Sequence, residues 1–141
     1  MTLSLVQAQA IIAGALAEAR GCQLKPLAVV VLDAGGHPIA FAREDGASFF
    51  RLDIARAKGV GALGMGDDSR VLAERAKSNP VFFQSVSAVV GGQIAFSPGG
   101  ILIRKDGNTL GAVGVSGDTG DFDEQCARSG LGATGFVEVL G

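Results

Sequence analysis

The run Leu27-Ala28-Val29-Val30-Val31-Leu32 constrains the fold more than any other segment. It is unbroken and rich in β-branched residues, the pattern of a central strand covered on both faces. It is also far shorter than the roughly 18 apolar residues that a membrane span needs. Asp33-Ala34-Gly35-Gly36 then turns the chain, and Ile39, Phe41 and Arg43 alternate with Ala40 and Ala42. The two segments therefore read as a hairpin, with Pro38 tolerated at the start of its second strand. The single histidine, His37, sits in that turn.

Around this hairpin the periodicities define further elements. Ser4-Leu5-Val6-Gln7 fits a capping box, and Leu5, Ala8, Ile12, Ala15, Leu16 and Ala19 keep the helical period as far as Gly21. Ser48 is expected to cap a second helix with Phe50, Ile54, Ala57 and Gly61 on its packing face and Arg51, Asp53 and Arg56 away from it. A short helix follows from Asp67-Asp68-Ser69 to Lys77, and Asn79-Pro80 opens another carrying Phe82, Phe83 and Val86. Three strands are expected next, at Ile94 to Phe96, Ile101 to Arg104 and Thr109 to Ser116, with Asp106-Gly107 as a hairpin turn. A last helix opens at Asp118, Thr119 or Asp121. This order predicts an α/β (α+β) fold with a five-stranded, mainly antiparallel sheet and helices packed on it.

A length of 141 residues without a linker-like stretch reads as one domain over 1–141. The formal net charge is −2 and the basic residues are scattered, so no electrostatic footprint for nucleic acid is present. The first basic residue is Arg20, which leaves no charged n-region, and a cytoplasmic, non-membrane protein is expected. Cys22 and Cys126 read as buried or half-buried thiols. With 22 glycines among 48% hydrophobic residues, backbones should pack closely, between elements or between subunits.

Few residues offer chemistry. No nucleophile, base and orienting acid can be assembled by motif, and neither GxxxxGK[ST] nor GxGxxG is present. The acidic pairs Glu44-Asp45, Asp67-Asp68 and Asp123-Glu124 fall at expected turns or helix starts and read as structural. Gly114-Val115-Ser116-Gly117 leads into a helix N-terminus, where free N–H groups favour an anion such as a carboxylate; equally, its glycines can serve tight packing. Arg43 could grip a ligand carboxylate, although neighbouring Glu44 and Asp45 favour an ordinary salt bridge. Lys58 reads as a snorkelling lysine and Cys126 as a small packed hydrophobe. His37 is either a solvated turn residue or the chain's nitrogen ligand for a metal.

Three pieces in order carry a resemblance: Val31-Leu32-Asp33-Ala34-Gly35-Gly36-His37 with Ala42-Arg43-Glu44-Asp45-Gly46-Ala47; Ile54-Ala55-Arg56-Ala57-Lys58; and Gly111-Ala112-Val113-Gly114-Val115-Ser116-Gly117 with Asp123-Glu124 and Cys126-Ala127. The chain resembles the GlcG/HbpS family, also called DUF336 or haem-degrading domain, over nearly its whole length. The resemblance implies a profilin-like sandwich, homo-oligomers, and in some members haem or iron binding. On that basis His37 would ligate the metal, Phe41 and Phe50 would face the ring, and Arg43 with Ser116 and Gly117 would meet its carboxylates. One departure is that Gly99-Gly100-Ile101 is followed by Leu102, with proline displaced to Pro98. Two other functions fit the same residues. One is an enzyme or accessory factor for a small organic acid with His37 as acid or base, and the other is a self-assembling scaffold.

Overall fold

The apolar run forms β1 (Ala28–Asp33), which lies inside the sheet rather than at its rim. With β2 (Pro38–Arg43), β3 (Gly100–Lys105) and β4 (Asn108–Ser116) it makes an antiparallel sheet of order β2-β1-β4-β3. The structure, a computed structural model, describes residues 2–136. Five helices among the described residues complete it: α1 (Leu5–Gly21), α2 (Phe50–Met65), α3 (Ser69–Ser78), α4 (Pro80–Val89) and α5 (Gly120–Ala133).

Both faces of β1 are used. Val29 and Val31, with Ile101, Ile103, Val113 and Val115, meet α1 and α5 in the larger core. Val30 and Leu32 turn the other way, toward α2. Burying a valine or leucine side chain contributes about 1.5–3 kcal/mol, so this run of residues is the main stabilising feature of the centre.

Local signals explain most of the elements. The Ser4 capping box forms in full, with Gln7 N–H donating to Ser4 Oγ and Ser4 N–H donating to Gln7 Oε1. Asp106 and Gly107 take φ values of 52° and 78°, the type I′ geometry that suits a two-residue hairpin. Thr119 caps α5 by accepting from Phe122 N–H.

Three expectations are corrected. The sheet has four strands among the described residues, because Ile94 to Phe96 is irregular. The rim of β3 is already occupied: Gly100 N–H donates to Ser69 Oγ at 2.7 Å and Leu102 N–H to Asp68 Oδ1 at 2.9 Å. Ile94 instead packs against Gly61, and Phe96 meets Phe83 edge-on. The second correction concerns α2, whose buried residues are Ala55, Lys58, Gly59, Gly61 and Ala62, while Phe50 is 64% exposed. A β-carbon on Gly114 would overlap the Ala55 carbonyl, so the helix rolls its small residues onto a glycine-bearing strand. Third, Ser48 makes no side-chain cap; Phe49 is the N-cap residue of α2 and Ser48 contributes only its carbonyl, to Arg51 N–H.

No helix among the described residues is long and apolar enough to cross a membrane.

Candidate functional site

The β1–β2 turn is built around one carboxylate. Asp33 Oδ1 accepts from Gly35 N–H at 2.9 Å and from His37 N–H at 3.0 Å, an Asx-type arrangement that ties the turn to its first residue. Asp33 N–H donates to the His37 carbonyl, and Gly36 closes the turn at φ 84°. These bonds, led by that from His37 N–H, hold the Asp33 carboxyl below its ordinary range.

The imidazole folds back over the same carboxylate. His37 Nδ1 lies 3.3 Å from Asp33 Oδ1, and the lack of a side chain on Gly35 makes room for the ring. A carboxylate at Nδ1 favours the tautomer with its proton there, which leaves the Nε2 lone pair free for a metal. The side chain is 80% exposed. Next to the turn lies an open groove of about 380 Å³ lined by Leu3, Asp33, Ala34, Gly35, Ile39 and Leu110.

Phe41 and Arg43 follow on β2. Their partners in the ladder are Val30 and Ala28, so they share the sheet face that α2 covers. Glu44 N–H donates to the Leu27 carbonyl, which makes Ala42 and Ala40 the residues that bond to β1. The N–H and C=O groups of Phe41 and Arg43 therefore point to the outer rim. Phe41 is 60% exposed, as are Phe49 at 66% and Phe50 at 64%.

Arg43 forms no ion pair with Glu44, contrary to the salt bridge favoured from sequence. Glu44 turns to the opposite side, 3.0 Å from Arg20 Nε, and accepts from Leu27 N–H at 2.8 Å.

Ser116 and Gly117 lie elsewhere. Ser116 pairs with Ala28, at the end of β1 opposite the His37 turn, roughly 17 Å away at ~3.3 Å per residue. Both residues are buried, and a side chain at Gly117 would strike the Pro26 carbonyl. The anion at this strand–helix junction is Asp123, whose Oδ1 accepts from Asp118 N–H at 3.0 Å. The structure thus places His37, Phe41 and Arg43 on one strand and its turn, Phe50 on the helix above that sheet face, and Ser116 and Gly117 in the interior.

Lys58 does not snorkel. It is 3% exposed and donates to the Val115 carbonyl at 2.9 Å and to Asp123 Oδ2 at 3.0 Å. Burial pushes the Lys58 ammonium down and the Asp123 carboxyl up, while the pair's mutual attraction opposes both shifts. Sequence reasoning also missed Arg51, whose Nη1 donates to Ser116 Oγ at 3.3 Å, and the orienting part of Asp33. The Asp33 to His37 spacing of four with intervening glycines was the available signal for the latter.

The family profile described as haem degrading protein, HbpS-like, matches residues 3–132. Among solved structures, HbpS is 27% identical, with 100% of this chain and 92% of that chain aligned at a TM-score of 0.81; a double mutant of HbpS from Streptomyces reticuli also matches at 27%. The Klebsiella pneumoniae protein ORFY superposes at a TM-score of 0.88, with 23% identity over 98% of this chain and 94% of that one. The haem complex of PduOC gives 0.86, with 22% identity over 94% and 95% of the two chains. At those last two identities the likeness concerns the fold alone. No curated protein sequence matches the chain.

Proposed function

Because the chain belongs to the HbpS-like family, we propose that it binds haem or a related tetrapyrrole, with His37 as the metal ligand. The observation that carries this reading is the Asp33–His37 pair, a carboxylate 3.3 Å from Nδ1 that leaves Nε2 free for a metal. Among the described residues no three His, Cys, Asp or Glu side chains gather as a metal site. That favours a metal delivered inside a porphyrin, which brings four of its own ligands, over a bare iron ion. When bound, haem would supply a metal centre that His37 would hold.

The protein's residues bind and orient. His37 holds the metal end, Phe41 and Phe50 give the ring an apolar face, and Arg43 offers a fork of donors to a carboxylate. His37 and Arg43 are six residues apart, about 20 Å along an extended strand, so the ligand lies along the outer rim of β2. Exposed Val81, Phe82 and Val89 on α4 supply the apolar surface on which copies of the chain associate. The small-acid alternative is weaker, because the junction that would seat the acid already holds the Asp123 carboxylate.

Titration with haemin tests the reading. Wild type should shift the Soret band with saturable stoichiometry, and His37→Ala should lose most of that shift. Equal binding by both proteins would remove His37 from the metal, and no shift in wild type would end the haem assignment.

A further inference from the structure

We propose that Arg51 joins Arg43 in a second, metal-independent anchor, a seat for paired carboxylates on a flat apolar body. The charged end of the ligand is the part that the haem reading leaves unassigned beyond Arg43, and the identity of the flat body rests on that reading.

Three observations converge. First, Arg43, Ala28 and Ser116 form one cross-strand row, and Arg51 donates to Ser116 from the helix above, so both arginines belong to the same end of the sheet. Second, neither takes part in an ion pair among the described residues: Asp45 and Asp53, two residues from Arg43 and Arg51, make none with them, and the other nearby carboxylates are engaged elsewhere. Glu44 is held by Arg20 and Leu27 N–H, Asp123 by Lys58, and Asp118 by Lys25 N–H and Thr119 N–H. Third, Phe41, Phe49 and Phe50 are exposed beside them, with the rings of Phe49 and Phe50 4.6 Å apart.

Two cations outside any ion pair among the described residues, next to exposed aromatic rings, match an amphipathic dianion. Guanidinium forks hold carboxylates with paired, charge-assisted hydrogen bonds, and the rings remove the flat body from water. Arg51 is only half-exposed, so its field is less screened than that of a free surface arginine. Ser116, a neutral hydroxyl, cannot neutralise it.

The test uses metal-free protoporphyrin IX and its dimethyl ester, followed by porphyrin fluorescence. Wild type should bind the diacid and bind the ester at least about tenfold more weakly. Arg43→Gln and Arg51→Gln should each weaken the diacid by about tenfold and leave the ester unchanged. Arg43 is exposed, so its replacement reports on binding without a folding effect. His37→Ala should bind the diacid as wild type does, since no metal is present. Failure of the haemin shift with arginine-dependent diacid binding intact would sink the haem reading and leave this anchor standing. Equal affinity for diacid and ester, indifference to both arginine substitutions, or no binding by wild type would overturn the anchor, whatever haemin does.

Discussion

Lys58 Nζ and Asp123 Oδ2 lie 3.0 Å apart with side chains 3% and 2% exposed, so α2 and α5 are joined through the interior by an ion pair. The lysine's second bond, to the Val115 carbonyl, ties the pair to the end of β4. Removing one partner leaves the other charged and buried. Lys58→Met should cost about 3–5 kcal/mol in urea denaturation. Lys58→Met combined with Asp123→Leu should cost less than Lys58→Met alone, because no orphan charge remains. A single-variant cost under about 1 kcal/mol would show that the pair contributes little.

Gly114 and Gly64 should respond in opposite directions to alanine. Gly114→Ala inserts a methyl group into the Ala55 carbonyl and must lift α2 from β4, at a cost of about 3 kcal/mol or more. Gly64 lies within α2 with nothing within 4 Å of an added β-carbon. There alanine should stabilise by roughly 0.5–1 kcal/mol. Thermal melts of the two variants check both signs.

Asp33 should set ligand affinity without touching the ligand. Asp33→Asn keeps an acceptor for the turn but removes the charge beside Nδ1, and haemin affinity should fall about tenfold. Asp33→Ala should lose more, since the turn also loses two hydrogen bonds. Wild-type haemin affinity in Asp33→Ala would mean that the carboxylate does not orient the imidazole.

The two cysteines should differ in reactivity. Burial pushes the Cys126 thiol up to about 12, with the charges of Asp123 and Glu18 adding to the effect, whereas Cys22 is exposed. A chromogenic disulfide reagent at pH 8 should titrate one thiol in the native protein and two in denaturant. The sign of the pH effect follows: above pH 9, the thiol's ordinary value, the unfolded chain releases this proton and the folded chain keeps it. Stability should therefore fall with rising pH in that window, by about 1.4 kcal/mol per unit. Cys126→Ala should flatten that part of the curve.

How much of this was legible depended on whether the signal was local. The central strand, the Asp106-Gly107 turn and the Ser4 capping box are short-range statements, and each formed; of the three starts left open for α5, Thr119 is the cap. The face of α2 was misread because hydrophobicity pointed to Phe50 and Ile54, whereas the deciding fact is a close approach to Gly114, distant in sequence. Ile94 to Phe96 carries strand-like residues, yet the side chains of Asp68 and Ser69, at the start of α3, had taken the rim where it would pair. The candidate site was legible as residue types but not as a place. His37, Phe41 and Arg43 follow one another along the chain, while Ser116 and Gly117 need the ladder register to be set apart from the turn.

The two borders of the sheet are unlike. Asp68 and Ser69 seal the β3 side, while the β2 side offers the main-chain groups of Phe41 and Arg43 without partners among the described residues. Strand addition is therefore one-sided. A strand added there would cover the rim on which the ligand lies, so edge-to-edge pairing of this sheet and ligand binding along β2 exclude one another.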